Sequence, residues 1–210
     1  GDELGFNPGG TFRDQAGNRY YFKFQQTPEH ARNEILAHKL YEAAGVPALD
    51  MRPLNLGDGR IGTGTKWVQA EPLNIADPEH LAQARKLFAL HAWLGNWDHH
   101  VHGNMAMRDG RISAMDLGGA LLFRARGEPK PNFGASVDEW DSLRQHDYKG
   151  FFKDMSPEEL QESAKMVGAM DDAKIDSLVK EHGPGDDVQK ARLAGILKAR
   201  RQDVLRRANG

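Results

Sequence analysis

Asn96-Trp97-Asp98-His99-His100-Val101-His102-Gly103-Asn104 and, a little further on, Asp116-Leu117-Gly118-Gly119 decide the reading of this chain. The first stretch is too polar and too punctuated by glycine to be regular structure, so it reads as a loop. It closes a helix that Asp77 caps and Pro78 opens, with Leu81, Ala84, Leu87, Phe88, His91 and Leu94 at helical spacing. Between the two stretches, the runs 105–107 and 112–115 flank the turn Arg108-Asp109-Gly110-Arg111 and predict a tight hairpin. Two carboxylates, Asp98 and Asp116, and one amide, Asn104, therefore sit on loops around that hairpin. Together they form the all-oxygen donor set that magnesium favours when it also keeps waters and phosphate oxygens.

Upstream the pattern is strand-like. The runs 11–13 and 19–24 flank the turn chemistry of Asp14-Gln15-Ala16-Gly17-Asn18 and read as a hairpin. Thr27 and Pro28 then open a helix carrying Ile35, Leu36, Leu40 and Tyr41, which Gly45 stops. The runs 49–56 and 60–68 predict a second hairpin around Gly57-Asp58-Gly59, followed by the connector Gln69-Ala70-Glu71-Pro72. Lys23 lies mid-strand between aromatics, a strange place for a lysine unless its ammonium has a partner, and Glu34 on the next helix is placed to be that partner. Gly5-Phe6-Asn7-Pro8-Gly9-Gly10 allows backbone N–H groups to approach phosphate oxygens, although Pro-Gly-Gly also makes an ordinary loop.

Downstream, a loop is expected over 124–136 and then three helices. Ser156-Pro157-Glu158-Glu159 is a capping box, Asp171 starts the next helix, and a basic helix runs from about Asp187 to Arg207. The expected fold class is α+β: a small strand-rich lobe with one helix over residues 1–70, and a mainly helical lobe over 71–210, joined near Gln69–Leu73.

Composition narrows the function classes. With 210 residues, one domain or one two-lobed unit is expected. The 28 basic side chains against 30 acidic ones argue against a chain built to coat nucleic acid. Zero cysteines exclude disulfides, a thiol nucleophile and thiolate-bound metal centres. No apolar run approaches the length of a membrane span. Because Gly1 stands where an initiator methionine is usual, the chain reads as an excised domain.

In their order along the chain, these pieces resemble the atypical members of the protein-kinase-like superfamily: HipA-like and phosphatidylinositol-kinase-like enzymes, and compact kinase domains of bacterial effectors and toxins. Asn96-Trp97-Asp98 with Gly103-Asn104 resembles the catalytic loop, Met115-Asp116-Leu117-Gly118 the metal-binding loop, and Phe22-Lys23-Phe24 the nucleotide-lysine strand. Asn33-Glu34 resembles its helix partner, and Trp67-Val68-Gln69-Ala70-Glu71 the adenine-binding hinge. Asp98 and Asn104 are six apart, one more than the family usually shows, which a local bulge accommodates.

The resemblance implies a two-lobed, kinase-like phosphotransferase using ATP and Mg2+. Asp98, Lys23 and Glu34 would be catalytic, and Asn104 and Asp116 would hold the metal. Gly5, Asn7, Gly9, Gly10, Lys23, Gln69 and Glu71 would hold the nucleotide. It further implies a protein substrate, a monomer, no nucleic-acid partner, and a soluble effector or toxin domain acting in the cytosol of a target cell.

Other readings stand beside it. They are transfer of a different group such as a nucleotidyl, a lipid or small-molecule acceptor, and a nucleotide-binding pseudokinase. A His/Asp metal-dependent hydrolase built on His91, His99, His100 and His102 is a further one, although His91 on its apolar stripe reads more simply as a core histidine with a hydrogen-bond partner. The basic C-terminal helix is expected to pack its apolar stripe on its own lobe and leave its charges solvated. The stretch from Arg124 to Lys130 falls where a kinase's activation segment lies and otherwise reads as a mobile loop. Phe133 and Trp140 read as packing residues.

Overall fold

The computed structural model describes residues 8–55, 61–100 and 103–210. Gly5, Phe6, Asn7, Val101 and His102 lie outside the described residues, as does the turn at 57–59. The first hairpin pairs β1 (Gly9–Arg13) with β2 (Arg19–Phe24), and β3 (Arg52–Asn55) and β4 (Ile61–Lys66) extend it into an antiparallel sheet of order β1-β2-β4-β3. Alternation along β2 turns Lys23 and Gln25 inward and Phe22 and Phe24 outward, where Phe12 joins them. Lys23 sits opposite Gly9 on one side and Thr63 on the other. A methyl on Gly9 would run into the Phe22 carbonyl, and one on Gly62 into that of Lys23. Glycine is thus what lets both neighbouring strands close on the lysine. This corrects one expectation: Gly9 and Gly10 belong to β1, not to a loop ahead of it.

α1 (Pro28–Ala43) has the expected cap, Thr27 accepting from the His30 N–H at 3.1 Å, and it lies against β3 and β4. The connector after β4 is not structureless. β5 (Glu71–Pro72) pairs with β6 (Met105–Arg108), which pairs with β7 (Arg111–Ala114), giving a second, three-stranded antiparallel sheet.

The helix expected from Asp77 to Leu94 is two helices, α2 (Pro78–Lys86) and α3 (Phe88–Trp93), divided at Leu87 where ψ is −3°. Only Ala84 of α2 is buried, whereas α3 is buried on every side. The apolar period runs through Leu87 without a break, so the sequence does not mark the division. A short helix that the sequence did not announce, α4 (Glu139–Gln145), shows just Trp140 and Leu143 as buried apolar positions, too little for a visible period. The three C-terminal helices are α5 (Pro157–Gly168), α6 (Asp172–His182) and α7 (Asp187–Ala208), with capping boxes at Ser156/Glu159 and Asp186/Gln189.

The main core joins Leu36, Leu40 and Tyr41 of α1 to Phe88, Leu90 and Trp93 of α3 and Leu197 of α7. Two charges of α7, Arg200 and Asp203, depart from the solvated expectation. Arg200 is fully buried, because its guanidinium donates to the carbonyls of Ala92, Trp93, Gly134 and Ser136 and to the Glu139 carboxylate. The architecture is α+β, a small antiparallel sheet with one helix followed by a mainly helical lobe. No helix among the described residues is long and apolar enough to cross a membrane.

Candidate active site

One face of α1 organises the site. Residues His30, Asn33, Glu34 and His38 recur three and four apart and are all buried. Glu34 meets Lys23 of β2, Oε1 to Nζ at 2.6 Å, and the same ammonium reaches Asp116 Oδ1 at 3.0 Å. Gln25 donates to the other Glu34 oxygen at 2.7 Å and to Thr63 Oγ1 at 2.8 Å. Burial alone would lower the pKa of Lys23, but the carboxylates of Glu34 and Asp116 override it and hold the amine charged, above the usual lysine range. Burial pushes Glu34 up. For Asp116 burial acts upward too, yet Lys23 and the Gly118 N–H outweigh it, and the carboxyl lies below its ordinary value. Lys23 is 4% exposed and Asp116 keeps 41% of its side chain exposed, so the pair presents its acid side outward.

The backbone that follows Asp116 is held by the same helix. His30 Nε2 lies 3.1 Å from the Gly118 carbonyl, while Asn33 donates to the Ala120 carbonyl at 2.9 Å and accepts from the Leu122 N–H at 3.1 Å. The Gly118 N–H caps Asp116 Oδ1 at 3.0 Å. A side chain at Gly118 would stand 3.3 Å from Asp116 Oδ1 and 3.6 Å from Lys23 Nζ, so glycine leaves this cluster open.

Asp98 rises from a single 3-10 turn, Trp97–His100, directly after α3. Asn104 ties the loop together. Its Nδ2 donates to the Asp98 carbonyl at 2.9 Å, and its own carbonyl accepts from the N–H groups of Met115 at 2.8 Å and Asp116 at 3.3 Å. Burial raises the Asp98 pKa, with Lys130 pulling it down and Asp116 adding to the rise. The structure thus brings Lys23, Glu34 and Asp116 into direct contact and sets Asp98 and Asn104 on the adjoining loop.

The remaining candidates fall elsewhere. Gly9 and Gly10 pair with Lys23 and Phe22 in the ladder, while Gln69 and Glu71 are exposed in and before β5, where Glu71 lies opposite Met107. Gly5 and Asn7 are outside the described residues.

Three contributors escaped sequence reading. Gly119 lies against Asp98, so close that a Cβ there would overlap Oδ2. His38 is fully buried behind Lys23 with neither ring nitrogen hydrogen-bonded among the described residues. Lys130, in Pro129-Lys130-Pro131, donates from Nζ to the carbonyls of Gly95 and Gly119, each at 2.6 Å. Only the Asp-x-Gly-Gly stretch carried a local signal; a lysine between two prolines reads as loop.

An open groove of about 990 Å³ runs along the Asp98 side, walled by Trp97, Gly119, Arg124, Pro129, Lys130 and Phe133. Lys23 and Asp116 do not line it. Phe133 also packs under the Arg200 guanidinium, 4.5 Å from the ring centroid.

His91 is a core residue, its Nδ1 2.7 Å from the Tyr41 hydroxyl and its ring 4.9 Å from that of His99. Burial holds both imidazoles well below the usual histidine range. Among the described residues no group of three or more His, Asp and Glu is arranged to hold a metal by itself.

No protein-family model matches the chain, nor does any curated protein. Among solved structures, the proinflammatory kinase CtkA of Helicobacter pylori is similar with a TM-score of 0.67 and 13% identity, over 100% of this chain and 94% of that one. The N-terminal 618-residue fragment of LepB from Legionella pneumophila matches at a TM-score of 0.49 and 14% identity, over 93% of this chain and 46% of that one. An aminoglycoside phosphotransferase from Alicyclobacillus acidocaldarius matches at 0.40 and 14%, over 99% and 92%. The chain shares the overall fold of the Helicobacter pylori kinase.

Proposed function

We propose that this chain is a Mg-ATP-dependent phosphotransferase that phosphorylates a protein hydroxyl, with residues 1–70 as the nucleotide lobe and 71–210 as the catalytic lobe. The observation that carries the reading is the buried contact of Lys23 with both Glu34 and Asp116, at 2.6 and 3.0 Å, beside a loop bearing Asp98. Phosphoryl transfer needs positioning and charge neutralisation more than covalent help from the protein, and this cluster supplies both.

Glu34 orients Lys23 toward the α- and β-phosphates. Asp116 and Asn104 are the residues that would hold magnesium, and they fit it as hard oxygen donors, with one edge of the Asp116 carboxylate exposed. When bound, the metal neutralises phosphate charge. Asp98 aligns the acceptor hydroxyl and receives its proton. The open groove along Asp98 suits an extended polypeptide better than a compact ring, and this supports a protein acceptor. The likeness to a proinflammatory kinase extends the reading to an effector-type enzyme.

The test is paired labelling. Protein incubated with a mixed lysate is expected to transfer label from ATP carrying it at the γ position and none from ATP carrying it at the α position, and Asp98→Ala and Asp116→Ala are expected to abolish the signal. Transfer of α label replaces phosphoryl by nucleotidyl transfer. Undiminished γ transfer by both variants refutes the site.

A further inference from the structure

Among the described residues, the hydrogen bonds of the Lys130 ammonium go to neutral carbonyls alone. Two of its three N–H groups are spent on the carbonyls of Gly95 and Gly119, which end α3 and follow the Asp-x-Gly, so one ammonium bridges the two loops that carry Asp98 and Asp116. Neither bond is to an anion. The carboxylates that act on it, Glu139 and Asp98, do so through space, and Glu139 is already committed to Arg200 at 2.8 Å. Arg200 and Arg124 push the other way, and burial, the largest influence, lowers its pKa to about 8. An ammonium drawn away from water without a contacting anion is costly. The residue nonetheless lines the groove beside Asp98, where an acceptor and a phosphoryl group would meet.

We propose that Lys130 is a further catalytic residue, whose remaining N–H meets the phosphoryl group as it crosses from nucleotide to acceptor. This rests on the phosphotransferase reading. In the step, the acceptor oxygen forms the new bond to the γ-phosphorus, and the bond from that phosphorus to the β,γ-bridging oxygen breaks, its electron pair leaving on the nucleoside diphosphate. The hydroxyl proton passes to Asp98, and Lys130 keeps its own. Lys23 serves the nucleotide side of the reaction and Lys130 the acceptor side, from an element that the Lys23 triad does not touch.

Two measurements test it. In kinetics of Mg-ATP hydrolysis, with water as acceptor, Lys130→Met is expected to lower kcat about 100-fold, the order seen when one donor to a developing charge is removed. The Kd for Mg-ATP should stay within about twofold, and Lys130→Arg should recover part of the rate. The second uses the unaltered protein, so it stands even if the variant folds poorly. The Lys130 side-chain NMR signal, in protein labelled at lysine Cε and Nζ, is expected to titrate below ordinary lysines and to move on addition of Mg-ADP with aluminium fluoride, which mimics the phosphoryl group in flight.

Nucleotide binding that leaves the Lys130 signal unmoved overturns this proposal alone. So does a Lys130→Met variant that keeps its kcat, or one that loses kcat and Mg-ATP affinity in the same proportion. Unaltered protein that binds no Mg-nucleotide overturns the phosphotransferase reading and this one with it.

Discussion

Gly119→Ala separates catalysis from folding at this site. A Cβ on Gly119 would stand 3.0 Å from Asp98 Cγ and overlap Oδ2, while its nearest backbone neighbour, the Ala125 nitrogen, is at an ordinary 3.4 Å. The obstruction is the far end of an aspartate side chain, so the carboxylate yields by on the order of 1 Å and the backbone stays where it is. A misplacement of that size costs about 100-fold in rate, or roughly 2.7 kcal/mol in the barrier. Stability moves little, because replacing glycine by alanine at a backbone angle open to both removes unfolded-state entropy worth about 0.4–1 kcal/mol. The assay is Mg-ATP hydrolysis beside thermal unfolding and Mg-ATP titration. The expected result is a kcat down by about 100-fold, a Tm within about 3 °C, and an unchanged Kd, since Lys23 and Asp116 are untouched. A full kcat in Gly119→Ala shows that the Asp98 carboxylate does not need its observed position, and the mechanistic role given to it falls.

Lys23→Met leaves Glu34 buried without its counter-charge, and a loss of about 3–5 kcal/mol is expected in urea unfolding, together with loss of Mg-ATP binding; a loss below 1 kcal/mol contradicts the pairing. Arg200→Met strands the Glu139 carboxylate and four carbonyls, and a similar loss of about 3–5 kcal/mol is expected by the same measurement. Histidine burial sets the acid response. His38 and His99 are held neutral by desolvation, with pKa values lowered to about 3 and about 4. Their contribution is whole above the unfolded-state value near 6.5 and is lost as pH falls toward those folded-state values. From pH 7 to pH 5 each removes about 2 kcal/mol of stability, and a His38→Met protein should lose correspondingly less; equal acid sensitivity of the two proteins refutes the assignment.

Elements whose signals are local were legible in the sequence. Thr27-Pro28 and Ser156-Pro157-Glu158-Glu159 announce helix starts in consecutive residues, and β2 declares itself a strand by its run of aromatics. The Lys23 to Glu34 contact was readable because a lone charge among aromatics asks for a partner and the next helix offers one. What stayed hidden depends on distance across the fold. Nothing near Leu87 marks the division of α2 from α3, since the change is in how much of each helix is covered by the rest of the chain. Gly119 reads as one more loop glycine until Asp98, far back in the chain, is found against it. Lys130 between two prolines has no periodicity, and its meaning appears only when the ends of two other elements turn out to be its acceptors.

The charge of the assembled cluster bears on the proposed reaction. Glu34, Asp98 and Asp116 bring three carboxylates to the site, and Lys23 and Lys130 bring two ammoniums, one fully engaged and one held by carbonyls. A cluster with an excess of negative groups repels a polyphosphate unless further positive charge enters with it, and the outward edge of Asp116 is where a hard divalent cation finds its donors. The same arithmetic explains why Lys23 is paired twice. With both Glu34 and Asp116 fixed on it, the lysine is held in one position before any nucleotide arrives, and positioning is the larger part of what a phosphotransferase contributes. Lys130 is the reverse case, a cation fixed by neutral carbonyls, and in the proposed reaction its charge would be free to meet the transferred phosphoryl group.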